Sequence, residues 1–152
     1  MKTHVLIISR YFPKTHSKGG QDTDFLDKIF FNKTKKHTIR GNYNLWKKRI
    51  DEVLQGKAII SLRYWSGKPY NSKQVEITQF NQTSYIGIQK LFFEDNCIDI
   101  PIVFVPGVGA VEQSIETIAN NDGLTLPDFK EWFAKADLSE PMAIIHFTDF
   151  RY

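Results

Sequence analysis

The chain is almost without cysteine. Cys97 stands alone, which excludes an internal disulfide and suits a reducing compartment. With no base or cation beside it in sequence, its thiol reads as inert. The four histidines, His4, His16, His37 and His146, are scattered, so no metal-ligand spacing is present and neither a metal nor a cofactor is expected. Long apolar runs are missing too. The longest, Ile98 to Val111, is interrupted by Pro and Gly and is too short to cross a bilayer. The apolar run after His4 lacks the basic flank and small-residue cleavage site of a signal peptide. These absences point to a cytoplasmic protein with no membrane partner. There is no repeat, linker or low-complexity tract, and 152 residues suit a single domain spanning 1–152.

The early part of the chain is poorest in negative charge. Between Lys28 and Ile50 there are eight Lys/Arg and no acid. Residues 1–93 hold seventeen Lys/Arg against six Asp/Glu, and residues 94–152 hold three against eleven. A net charge of +3 therefore conceals a strong segregation. Such a field draws phosphate-bearing ligands to the basic part. The same segregation lets the two parts attract each other within one fold.

The periodicities predict an α+β domain. His4–Ile8 reads as a buried strand. Arg10–Gln21, rich in turn formers, reads as a basic loop that either gates a cleft or is mobile surface. Asp22 or Thr23 is placed to cap a helix carrying Phe25, Leu26, Ile29 and Phe30. Trp46, Ile50, Val53 and Leu54 form an amphipathic stripe that Gly56 ends. Ala58–Trp65, Gln74–Phe80, Tyr85–Phe93 and Ile98–Val105 read as successive strands, suggesting a small barrel or highly curved sheet. Val111, Ile115, Ile118 and Ala119 fit a third helix. Thr125, Pro127 and Asp128 announce a fourth, expected to bury Phe129, Trp132 and Phe133. Met142–Phe147 closes the chain as a buried strand.

The densest chemistry lies in Lys35-Lys36-His37-Thr38-Ile39-Arg40. Thr38-Ile39 favours strand. On a regular strand Thr38 and Arg40 share one face with Lys36, while Lys35 and His37 share the other. Lys35 therefore meets Thr38 only from a turn preceding the strand. A threonine hydroxyl becomes a nucleophile when a base takes its proton. A lysine serves as that base once its pKa falls toward roughly 7–8. Like-charge repulsion from Lys33, Lys36 and Arg40, together with burial, works in that direction. The plain alternative is a strand threonine flanked by surface lysines. Trp65 and Tyr70 flank a Gly-containing turn beside Arg63, Lys68 and Lys73, a pattern that suits base stacking and equally suits packing within a hairpin.

Two stretches resemble the ASCH family of the PUA-like superfamily, small β-barrels with helices around them. Lys35–Arg40 is similar to the family's Lys-x-x-Thr-(Ile/Val)-Arg signature. Ile118–Phe129, taken with Ala143–Phe147, is similar to the helix–turn–helix and last strand of the small bacterial members that deacetylate N4-acetylcytidine. Trp65–Tyr70 has no counterpart in those smallest members. The resemblance implies a triad of Lys35, Thr38 and Asp122, with Asp122 where the relatives carry Glu. The residues' own chemistry adds a basic cleft in which Arg40 binds an oxyanion or phosphate, with Arg10, Lys14, Arg63 and Trp65 as candidates for its rim. The leading expectation is a module binding RNA or a modified nucleoside. The second is an amidohydrolase acting on N4-acetylcytidine-like nucleosides, and the third a non-catalytic protein-interaction component.

Overall fold

The computed structural model describes residues 1–152. In chain order the elements are β1 (Lys2–Ile7), α1 (Phe25–Phe30), β2 (His37–Arg40), α2 (Tyr43–Leu54), β3 (Ala58–Trp65), β4 (Gln74–Phe80), β5 (Gly87–Phe93), β6 (Pro101–Val105), β7 (Gly109–Glu112), α3 (Ile115–Asn121), α4 (Leu126–Trp132) and β8 (Met142–His146). The α+β class is borne out. No helix is long and apolar enough to cross a membrane.

Hydrogen bonding does not close a barrel. The strands form two separate sheets, ordered β1-β3-β4 and β2-β8-β5-β6-β7. β1 runs parallel to β3, while every other pairing is antiparallel. One edge of the larger sheet is β2. Next to it, the Arg40 guanidinium of β2 donates to the Ile7 carbonyl at the end of β1. A side chain thus makes this connection between the sheets, in place of a strand ladder.

Helix α2 spans the same division, packing against β3 of one sheet and β5 and β8 of the other. Its stripe delivers Trp46, Ile50 and Val53 to the core. Asn42 caps the start, its side chain accepting from the Leu45 N–H, and Gly56 follows the end at φ +73°. Interior strand β8 has all five residues buried, as a strand covered on both faces requires.

Three local expectations change. Helix α1 is preceded by Asp24 in a left-handed conformation. The residues expected to cap it work one position earlier: the Asp22 carboxylate accepts from the Asp24 N–H and the Thr23 hydroxyl accepts from the Phe25 N–H. Val111 belongs to β7, not to a helix. It pairs with Val103, and Ser114 caps α3 after it. An i, i+4 spacing over so few apolar residues does not separate helix from strand, and Gly107 and Gly109, both at positive φ, turn the chain back beforehand. In α4 only Phe129 is fully buried; Trp132 and Phe133 are part-buried because they face cavities.

Candidate active site

The site is built where β2, the end of β1 and the α3–α4 turn converge. Lys35 lies in the segment just before β2 and lines the same cavity as Thr38. Its backbone N–H donates to the Lys28 carbonyl, and the next N–H, that of Lys36, donates to the Asn121 carbonyl at 2.7 Å. These bonds sink the segment against α3. Lys35 is left 2% exposed, among the largest fully buried side chains of the protein.

Its amine is held by Asp122. Nζ donates to the Asp122 carbonyl at 2.6 Å and to Asp122 Oδ1 at 3.1 Å, and lies 4.1 Å from the centroid of the Phe25 ring. Asp122 is the C-cap of α3 and is 4% exposed. Lysine is a suitable partner at this helix end, where unpaired carbonyls concentrate negative charge; Lys28 Nζ likewise donates to the Gly123 carbonyl at 2.9 Å. Gly123 sits at φ +83° with its α-carbon pressed on the lysine stem: an added Cβ would fall 3.0 Å from Lys35 Cβ.

Burial pulls Lys35 from its usual 10.5 down to about 8. Asp122 resists the fall, while Arg40 and Lys28 reinforce it. The repelling cations are thus Arg40 and Lys28, not the expected Lys33 and Lys36. Lys33 is exposed, and Lys36 turns its amine over the Phe150 ring at 4.7 Å.

Thr38 and Arg40 are coupled. Arg40 Nη1 donates to Thr38 Oγ1 and to the Ile39 carbonyl, both at 2.8 Å, while Nη2 reaches the Ile7 carbonyl. A guanidinium has five N–H groups, so two have no protein acceptor. Lys35, Thr38, Arg40 and Asp122 all line one cavity of about 330 Å³, closed by Phe25, Trp132 and other apolar side chains. The four residues singled out in sequence therefore meet at one concavity, and the shorter acid touches the lysine directly.

The rim candidates divide. Arg10, Lys14 and Trp65 line a second cavity of about 680 Å³ that shares Ile7, Ile8, Ser9 and Trp132 with the first. Arg63 lines neither cavity. It is held along the sheet by Ser61 Oγ at 2.8 Å and Gln74 Oε1 at 3.0 Å, because its strand position points it toward the β4 neighbour.

A buried polar network behind the site was not legible beforehand. His37 is fully buried; Nε2 pairs with the Tyr152 hydroxyl at 2.6 Å and Nδ1 lies 3.6 Å from Asp122 Oδ1, just beyond hydrogen-bonding reach. Asn121 donates to the same hydroxyl at 3.0 Å. His146 Nε2 pairs with Gln89 Oε1 at 2.9 Å. Burial holds both histidines below their ordinary range and pushes the Tyr152 phenol above its own. His37 is thus a neutral member of the network at physiological pH, bonded at the sheet edge as a strand-edge histidine should be. The contributing residues, from His37 through Gln89 and Asn121 to His146 and Tyr152, are scattered along the chain, so no local pattern announces them.

The basic loop is not free surface. His16 is buried and its Nε2 pairs with the Asp128 carbonyl at 3.1 Å. Ser17 donates to Glu131 from both its N–H and its hydroxyl, and Lys18 Nζ donates to Asp128 Oδ2 at 2.7 Å. His16, Asp128 and Glu131 bring ligand-type atoms within 4.8 Å of one another. However, the Lys18 N–H donates to His16 Nδ1 at 3.0 Å, which puts the ring proton on Nε2. Neither ring nitrogen then offers a lone pair, so the grouping works as a latch between loop and α4. Compared with family models, with curated proteins and with solved structures, the chain matches none.

Proposed function

We propose that the protein is an amidohydrolase that removes a small acyl group from an exocyclic amine of a nucleobase, N4-acetylcytidine being the reference substrate. The observation that carries this reading is the Lys35 amine: buried, held by Asp122 and lowered to about 8 at the wall of the cavity that also contains Thr38. A pocket that only binds has no need of a lysine poised to lose its proton, whereas a general base does. The resemblance of Lys35–Arg40 and of the α3–α4 region to ASCH deacetylases of the PUA-like superfamily supports the same roles.

In this reading neutral Lys35 takes the Thr38 hydroxyl proton as Oγ attacks the acyl carbon. Arg40, already donating to Oγ1, favours the developing alkoxide and turns its remaining N–H groups to the tetrahedral oxyanion. The C–N bond breaks as the Lys35 ammonium returns the proton to the departing amine. Water, deprotonated by Lys35, then attacks the acyl-threonine ester; the C–Oγ bond breaks as the Lys35 ammonium returns that proton to Thr38 Oγ, releasing the carboxylic acid and restoring both residues. Asp122 orients the lysine and balances its charge whenever it is protonated.

The test is acetate release from N4-acetylcytidine by the purified protein. Lys35→Ala and Thr38→Ala should each abolish it. No turnover above buffer would refute the proposal and return the site to the role of a buried ion pair that ends α3.

A further inference from the structure

The larger cavity is unlike the rest of the surface. Its 680 Å³ are walled on one side by the Arg10–Gly20 loop and on the other by the β3–β4 turn. Trp65 and Tyr70 bring their rings to 5.2 Å between centroids, tilted by 49°. Tyr70 is 87% exposed and holds a left-handed φ of 65°, a conformation uncommon outside glycine. The turn that presents it is tied internally: Gly67 N–H donates to Ser72 Oγ, which donates to the Lys68 carbonyl. A half-buried Trp65 with the exposed Tyr70 beside it on a braced turn offers a stacking surface.

Charge singles out the occupant. Arg10, Lys14 and Lys68 are the charged residues of this lining, and no carboxylate joins them. Lys14 and Lys68 are in no ion pair, and the Arg10 guanidinium rests against the rings of Tyr11 and Tyr64. Arg10 also lines an adjoining hollow of about 200 Å³ with Asp22, Asp24 and Asp27, so Lys14 and Lys68 are the cations that face this compartment alone. The loop wall is held by the latch of Ser17, Lys18 and His16 onto α4, so the cations are presented by a preformed surface.

We propose that this compartment is a subsite for a phosphate-bearing nucleotide unit, its base stacked on Trp65 and Tyr70 and its phosphate met by Arg10, Lys14 and Lys68. Its register with the amide to be cleaved rests on the amidohydrolase reading, through the shared wall of Ile7, Ile8, Ser9 and Trp132. The substrate is then a nucleotide, free or within a single strand, in preference to a bare nucleoside.

Two measurements test this. In the first, kcat/KM is compared for N4-acetylcytidine, its 5′-monophosphate and a short single-stranded RNA carrying one N4-acetylcytidine. Phosphate-bearing substrates should exceed the nucleoside at least tenfold. That ratio should collapse in Trp65→Ala and in the Lys14→Ala/Lys68→Ala double variant. A gain already complete in the monophosphate identifies a free nucleotide, and one confined to the RNA identifies a strand. In the second, unmodified single-stranded RNA and cytidine 5′-monophosphate are titrated against the protein by tryptophan fluorescence over a range of salt. Binding should weaken with salt, by roughly 0.7 log units per log unit of salt for each phosphate met in a strand. It should weaken further in both variants. Turnover of the nucleoside without discrimination, or binding indifferent to Trp65, Lys14 and Lys68, would overturn the subsite. Binding that depends on these residues, with no turnover of any substrate, would uphold the subsite and remove the hydrolase.

Discussion

Two groups of lysines border the cavities that share Ile7, Ile8 and Ser9. Lys35 is buried, bonded to an acid and lowered toward neutrality. Lys14 and Lys68 are exposed and unpaired. The side chain is the same, and the setting assigns different work. Desolvation makes the proton of Lys35 mobile near neutral pH, which suits proton transfer. Water keeps Lys14 and Lys68 as compact point charges, which suits attraction of phosphate without chemistry. A basic protein therefore need not use its positive charges in one way, and burial is the variable that separates them.

The comparison is broken most directly at Lys35. Lys35→Met keeps the length and removes the amine. On the hydrolase reading, kcat should fall on the order of a hundred- to ten-thousandfold, the usual worth of a positioned acid–base group. Lys68→Met should leave the fold and the Tm unchanged. A comparable kcat loss in both variants would mean that charge alone matters.

The second expectation concerns stability. The folded protein holds Lys35 near 8 against its usual 10.5. Below about pH 8 the lysine is charged in both states, and the folded state carries the full cost of burying it. Between about 8 and 10.5 the unfolded chain binds more protons, so stability rises with pH across that window. The gain is on the order of 3 kcal/mol. Denaturant melts at a series of pH values should find this rise in the wild type and lose it in Lys35→Met.

A smaller effect should follow from Asp122→Asn. The carboxylate raises the Lys35 pKa, so its neutralisation lets the pKa fall further. The alkaline rise in activity should then begin at lower pH, read from a pH profile of kcat/KM. A shift toward higher pH would contradict the assigned electrostatics.

Smaller again is Gly123→Ala. The new methyl would meet Lys35 Cβ at 3.0 Å at a φ of +83°. A left-handed non-glycine residue costs roughly 1–2 kcal/mol, and thermal melts should record a loss of at least that size. No loss would mean that the turn relaxes away from the lysine.

Much of this organisation was legible in the residues. The spans Ala58–Trp65 and Gln74–Phe80 match β3 and β4 because alternation and a Ser-Gly-Lys-Pro turn are local signals. Thr125 as the α4 cap is local too: its side chain accepts from the Asp128 N–H. The meeting of Lys35, Thr38 and Asp122 at one cavity was expected only through the family resemblance, since no local signal links Asp122 to Lys35. Arg63 misled because a basic residue in a strand says nothing about which neighbour takes its guanidinium; Gln74 and Ser61 do. Val111 misled because short apolar spacings fit two periods.

By itself the sequence determined the α+β class, the helix stripe of Trp46, Ile50 and Val53, the basic segment at Lys35–Arg40 and the segregation of charge. These depend on periodicity and composition, which neighbours along the chain suffice to define. Only the tertiary structure decided that the strands form two sheets and that Arg40 reaches from one to the other. It alone removed Lys35 from water while leaving Lys14 and Lys68 in it. Solvent exposure is a property of packing between segments that lie far apart in the chain, such as Lys28 and the Asn121–Gly123 turn, and exposure is what tunes a lysine.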